Sequence, residues 1–497
     1  MSKQRIAFAM CVVLLLSLFR TGSTGAEGQG GRWSEPYRLS DKGVKASEAS
    51  LVADQYGYVH SFWTETIESE QRTNIQYARF DGGTWSAPND IFMTSRGIEN
   101  ISSVVDQHGT LHIVWTEGSN GVYGPAYYTY APASNALSVQ NWAHPLRIDI
   151  PAGIVRFRID SKGVFHIIYI NRTEDERGVY YIRSTDQGET WSEPIWLDPD
   201  ILPAHTPDSL NFELDENDGL HVVWFYGALD RDGNADWVRY VHSLDGGETW
   251  SSPFMIDQFV EETGHNLASA SPVMIVQGQT VHVIWAAGVQ PYRHHRFSTD
   301  AGLTWSAPVQ IFGELQGQAF DGLAVDGAGR VHFFGQIRYP FAIYEAYWDQ
   351  TRWSQPSLVY FIATEGSEEG FGGRVHAHYT LPVVRAGNQL VLTFTDPPAE
   401  PNRRLFTMHW TLDDIAPLEA LPTPTPMATL IPTPSPMPTQ QEPMPTVMAT
   451  ADLINTAEDE SLGEVPRADL AIQFGLIPVL LFLGGTLIFW IRYKNKP

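Results

Sequence analysis

Asp230, Asp232, Asn234 and Asp236 stand at alternate positions, and oxygen side chains at that spacing are what the opening of a calcium loop supplies. Val241 occupies the place where such a loop ends in a bidentate Glu, so the segment also reads as a solvated acidic turn. A second candidate is a set of histidines, His60, His112, His166, His221, His282 and His332, each in the pattern G-x-φ-His-φ-φ-aromatic or a close variant. A ring of imidazoles invites metal or proton chemistry. Its repetition argues the other way, because a residue required in every repeat serves local hydrogen bonding and packing. Arg72, Arg96, Arg172, Arg177, Arg293, Arg338 and Arg374 fall in loops with Glu65, Glu117, Tyr292, Tyr339, His376 and His378. Guanidinium groups can hold carboxylates through paired hydrogen bonds. Scattered arginines more often form local salt bridges, so these residue types name no catalytic set.

The elements that would position these groups are repeated. Ser184 through Trp191, Ser243 through Trp250 and Ser298 through Trp305 share the pattern S-x-D-x-G-x-T-W, each followed by Ser, one variable residue and Pro. Shortened copies end at Trp85 and Trp353, Trp142 heads a worn copy, and Trp33-Ser34-Glu35-Pro36 begins a strand with no turn before it. Intervals between successive tryptophans run from 48 to 59 residues, the period of a blade of four short strands rather than of a helical repeat. Within each turn the Asp accepts backbone N–H groups two or three residues on, Gly supplies positive φ, and the Ser and Thr hydroxyls satisfy the remaining amides.

These turns resemble the Asp-box of the bacterial neuraminidase (BNR) repeat, found in sialidase-like propellers. The resemblance implies that the box joins the third and fourth strands of each blade, on the face away from the ligand. It makes Asp186, Gly188, Trp191, Asp245, Gly247, Trp250, Asp300, Gly302 and Trp305 structural. It also implies an exo-glycosidase reading, in which three arginines hold a substrate carboxylate beside a Tyr-Glu pair and an Asp. The Arg-Ile-Pro entry motif of that family is absent, and the repeat register places Arg38 in a fourth strand, so no catalytic arginine is carried over.

The expected fold is all-β, a β-propeller over 32–412. Second strands begin near Val59, Leu111, Phe165, Leu220, Val281, Val331 and Leu390, giving seven four-stranded blades, with six as the alternative. The first fourth strand precedes every other strand, so 32–40 should pair beside 403–411 and close the ring, removing two open sheet edges.

Flanking segments set the expected location. Ile6 to Phe19 is apolar, preceded by Lys3 and Arg5 and followed by small residues, the grammar of a signal peptide over 1–26. The only cysteine, Cys11, lies within it, so the mature chain has no disulfide option. Residues 416–468 are rich in Pro and Thr and read as an extended stalk. Leu470 to Ile491 is long and apolar enough for one transmembrane helix, and Arg492, Lys494 and Lys496 place the tail over 492–497 in the cytoplasm. Without its six leader and tail cations the chain keeps 26 basic residues against 57 acidic ones, which excludes nucleic-acid binding. The expectation is a single-pass protein of the cell membrane, head outside, whose partner is an extracellular glycan or protein, with calcium as the one candidate cofactor. A sialidase-like glycosidase at the cell surface is the alternative.

Overall fold

The computed structural model describes residues 32–423, apart from 42–43, 48, 120–121, 201–203, 229–233, 260–266, 269–270, 289–290, 318–320, 339–340, 362–380 and 397–403. The leader, the stalk beyond 423, the apolar stretch 470–491 and the tail lie outside the described residues. Among the described residues no helix is long and apolar enough to cross a membrane.

The repeats fold into seven antiparallel sheets whose strands run A, B, C, D from the axis outward. The B strands are Val59–Ile67, Thr110–Ser119, Phe165–Asn171, Leu220–Ala228, Thr280–Ala287, Val331–Arg338 and Gln389–Asp396. All seven expected B strands are present, each two to five residues longer than the sequence pattern marks. The A strands, beginning at Ser50, Ile98, Ile154, His205, Val273, Gly322 and Leu381, neighbour one another in order, and the seventh returns to the first. Seven blades therefore close a ring, and the six-blade alternative falls.

Closure is by the N-terminal strand. Tyr37–Arg38 forms strand D of blade 7, with Tyr37 opposite Thr407 and Arg38 opposite Phe406 on strand C, Arg404–Thr411. Ser34 and Leu39 extend the pairing through bonds to His409 and Leu405. Arg385 of blade 7 donates to the carbonyls of Gly57 and Asp81 in blade 1, pinning the same seam. Each hydrophobic cluster spans two adjacent blades, as when Val223, Val238 and Tyr240 of blade 4 meet Val281 and Trp285 of blade 5. That is why the B strands are apolar on both faces.

Alternation of strand direction puts the A–B and C–D turns on one face of the disc and the B–C and D–A loops on the other. On the turn face the Asp-Gly turns are built alike. Asp186 accepts the amide of Thr190 at 2.9 Å and its hydroxyl at 2.5 Å, while Ser184 Oγ donates to Asp186 and accepts the amide of Gly188. Asp245 and Asp300 repeat this set. The full copies thus reach four residues on, while Asp81 and Asp349 in the shortened copies reach the expected two and three. Hydrogen bonding, first from the Thr190 hydroxyl, holds the Asp186 carboxyl down to about 2.

The glycines have a second role. Gly188, Gly247 and Gly302 have φ of 90°, 87° and 86°, and a Cβ on Gly247 would lie 2.1 Å from the hydroxyl of Tyr181 in the preceding blade. The tryptophans complete the stitch, since Trp250 packs edge-on against Tyr181 and Trp305 against Tyr240. Trp142, without an Asp-Gly turn, still packs on Phe62 and Tyr77 of the blade before it. Gly247→Ala is expected to cost about 3 kcal/mol, left-handed strain plus overpacking, in urea denaturation. The neighbouring Gly246 also has positive φ but nothing within 4 Å of a built Cβ, so Gly246→Ala should cost about 1 kcal/mol. Equal losses would remove the inter-blade contact as the cause.

Candidate functional site

The strand-B histidines lie near the turn face and are consumed there. His60 Nε2 faces Asp54 at 3.1 Å and its Nδ1 pairs with Tyr77 at 2.8 Å. Asp106, His112 and Tyr128 repeat the arrangement, as do Asp160, His166 and Tyr181, and Asp215, His221 and Tyr240. Each Asp also accepts two amides of its A–B turn, as Asp54 does from Tyr56 and Tyr58. An aspartate on Nε2 keeps the proton there, so Nδ1 accepts from the tyrosine. Blade 5 substitutes His295 for the tyrosine, and blade 6 substitutes Glu345. Burial lowers the pKa of His60, His166, His282 and His295 and reaches about 4 for His282. For His332, bonds donated to Asp326 and Glu345, with the charges of both carboxylates, outweigh burial and raise it. Both ring nitrogens are committed in most copies, so the ring of histidines is framework.

The loop face holds the other candidates. Arg72 and Arg96 come together with Lys45 in a polar cleft of about 610 Å³ between blades 1 and 2, where Arg72 pairs with Glu70 at 3.0 Å and Arg96 with Glu117 at 3.8 Å. Arg172 pairs with Asp208 at 2.9 Å. Arg293 is wholly buried, bound through two nitrogens to Asp321 at 2.8 and 2.9 Å and also donating to the carbonyls of Gln336 and Gly317. Burial raises the pKa of Asp321 despite Arg293. Glu65 is buried too, accepting from Trp63 Nε1 and the Asp41 amide, with its pKa raised by burial. Tyr292 accepts from Gln316. Tyr339, Arg374, His376 and His378 and the side chain of Arg338 lie outside the described residues. Arg38 lies in strand D of blade 7, where its guanidinium binds the carbonyls of Ser40 and Asp41.

Of the four alternating oxygen residues, Asp236 is buried in strand C of blade 4 at a bulge, its carboxylate 2.9 Å from His205 Nε2. Asp230 and Asp232 and the side chain of Asn234 lie outside the described residues. Among the described residues no group of three or more His, Cys, Asp or Glu is placed to hold a metal ion.

Sequence reasoning missed a cavity of about 370 Å³ between blades 2 and 3. Its wall is an aromatic ladder across three strands, Tyr169 on Tyr180 at 5.5 Å and Tyr180 on Trp196 at 5.6 Å, both nearly parallel. Asp149, Asp175 and Glu176 rim it. The ladder forms because Tyr169 and Tyr180, and Tyr180 and Trp196, are directly opposed in register. Gly178 makes room, since a Cβ there would lie 2.3 Å from Trp196 Nε1. A signal was present: Trp196 follows Trp191 by five residues, and no other repeat has a tryptophan at that offset.

No family model matches the chain, and no curated protein matches it in sequence. Among solved structures, a polysaccharide lyase described as an ulvan lyase is 11% identical, with a TM-score of 0.50 over 75% of this chain and 95% of its own. A protein of unknown function from Dyadobacter fermentans is 16% identical, with a TM-score of 0.47 over 76% and 99%. An intramolecular trans-sialidase from Ruminococcus gnavus is 14% identical, with a TM-score of 0.40 over 79% and 100%. What the lyase shares with this chain is the fold.

Proposed function

We propose that the propeller is the extracellular head of a membrane-tethered protein and that its loop face binds carbohydrate. The carrying observation is where the chain leaves the disc. After strand C of blade 7 it crosses the turn face, with Leu418 bonded to Ala386 in the A–B turn of blade 7 and Leu421 to Gln55 in that of blade 1. Asp414 is held on the way by Arg330 at 2.7 Å. A stalk continuing from residue 423 therefore starts on the turn face and leaves the loop-bearing face uncovered by its own exit segment. The propeller shared with a polysaccharide lyase, and an aromatic cavity on that face, support a sugar as the ligand. We infer that the Asp-Gly turns are Asp-boxes of the BNR kind. Arg72, Arg96, Arg172 and Arg293 are each engaged by a different acid, which favours recognition over the carboxylate clamp a sialidase needs.

The test has two parts. Protease added outside intact cells should release the head, and the full-length chain in detergent should bind at least one member of a panel of neutral, amino and acidic oligosaccharides. A protected head removes the location, and silence across the panel removes carbohydrate recognition.

A further inference from the structure

The cavity between blades 2 and 3 differs from its surroundings in a way that packing does not explain. Strand-B aromatics stack on strand C in other blades, as Trp115 does on Tyr127 and Trp285 on His294. In blade 3 the stack runs on to strand D and ends in Trp196, which is 36% exposed. Tyr169 lines the cavity and is only 2% exposed, yet its hydroxyl has no hydrogen-bond partner among the described residues. That hydroxyl belongs to the cavity lining, so it is available to a polar group that enters from outside the chain.

Resting on the carbohydrate reading above, we propose that this cavity is a sugar subsite selective for pyranose rings without an acidic group. A pyranose presents a C–H-rich face and a rim of hydroxyls. The face fits an indole, and the rim fits a tyrosine hydroxyl and carboxylate acceptors. A purely apolar ligand would leave those polar groups stranded. Charge then selects among sugars. Asp149 is paired with Arg147 at 2.7 Å and Glu176 accepts weakly from Asn171 at 3.4 Å, while Asp175 has no ion pair among the described residues. A uronate or sialate would bring a fourth carboxylate to this rim, a like-charge contact that disfavours binding. A neutral hexose meets no penalty, and a protonated amino sugar gains. The preference is opposite to that of a carboxylate-binding arginine site.

Calorimetric titration of the full-length chain in detergent with chitin, chitosan and galacturonate oligosaccharides and with sialyllactose tests this. Binding of the chitin or chitosan oligosaccharide is expected, at least tenfold tighter than either acidic ligand. Trp196→Ala should weaken it tenfold or more. Tyr169→Phe keeps the stack and removes only the hydroxyl, and should weaken it about tenfold, the loss expected for one hydrogen bond. Binding that survives both substitutions, or a uronate or sialoside preferred over neutral sugars, overturns the subsite while leaving carbohydrate recognition standing. No binding of any of the four overturns the subsite, and the broader panel then decides the reading on which it rests.

Discussion

Arg293→Met should destabilise the propeller by about 3–5 kcal/mol, the usual result of removing one member of a buried ion pair. The guanidinium is wholly enclosed between blades 5 and 6, and its removal takes two donors from Asp321, which keeps the Gln336 amide at 3.4 Å, and one each from the carbonyls of Gly317 and Gln336. The sign of the pH response identifies the mechanism. Asp321 already has a raised pKa from burial, and without Arg293 that pKa rises further. A group that binds its proton more tightly when folded adds stability below its unfolded pKa and loses it as pH rises through the folded value. The deficit of the variant should therefore shrink as pH is lowered from 7 toward 5. Asp321→Leu combined with Arg293→Met should recover much of the loss, since apolar replacement of a whole buried pair is often neutral. A deficit independent of pH and unrelieved in the double variant would show that volume, not charge, is what Arg293 supplies.

Acidification should destabilise the native chain well above the pH at which surface carboxylates titrate. His60, His166, His282 and His295 are held neutral by burial, so below about pH 6.5 the unfolded chain takes up protons that the folded rings refuse. Their contribution is complete above 6.5 and is lost as pH falls. His282 alone, depressed to about 4, accounts for roughly 3 kcal/mol across that window. His332, raised by its two carboxylates, works in the opposite sense and offsets part of this. Denaturation midpoints should be flat above pH 7 and fall steeply between 6.5 and 4. His295→Tyr, which installs the partner used by Tyr77, Tyr128, Tyr181 and Tyr240 in their own blades, should make the fall shallower. A midpoint unchanged from pH 7 to 4.5 would sink this account.

Much of the architecture is legible in the sequence, because each blade repeats the same local physics. Seven tryptophans gave the period, and the unmatched strand at Tyr37 gave the closure at Phe406. Repetition marks the histidines as structural, but their partners are only half visible in the sequence. Asp54, Asp106, Asp160, Asp215 and Asp326 each precede their histidine by six residues, a fixed offset set by one tight turn. The tyrosines lie 17, 16, 15 and 19 residues beyond their histidines because the B–C loops differ in length, so no spacing reveals them. The cavity of Tyr169, Tyr180 and Trp196 was hidden for another reason. Cross-strand register decides which aromatics stack, and register is a property of the paired sheet.

The clasp of Tyr37 and Arg38 on Thr407 and Phe406 joins the first described strand to the last. During synthesis the leading segment is made first and must wait, unpaired, until nearly the whole disc has been produced. A contact of such long sequence separation carries the full entropy of loop closure and comes late in folding. Until then blade 7 keeps a vacant edge, and the strand able to fill it can come from a neighbouring copy as readily as from the same chain when molecules are crowded. The feature that seals the finished ring is thus also the point at which two copies can exchange strands.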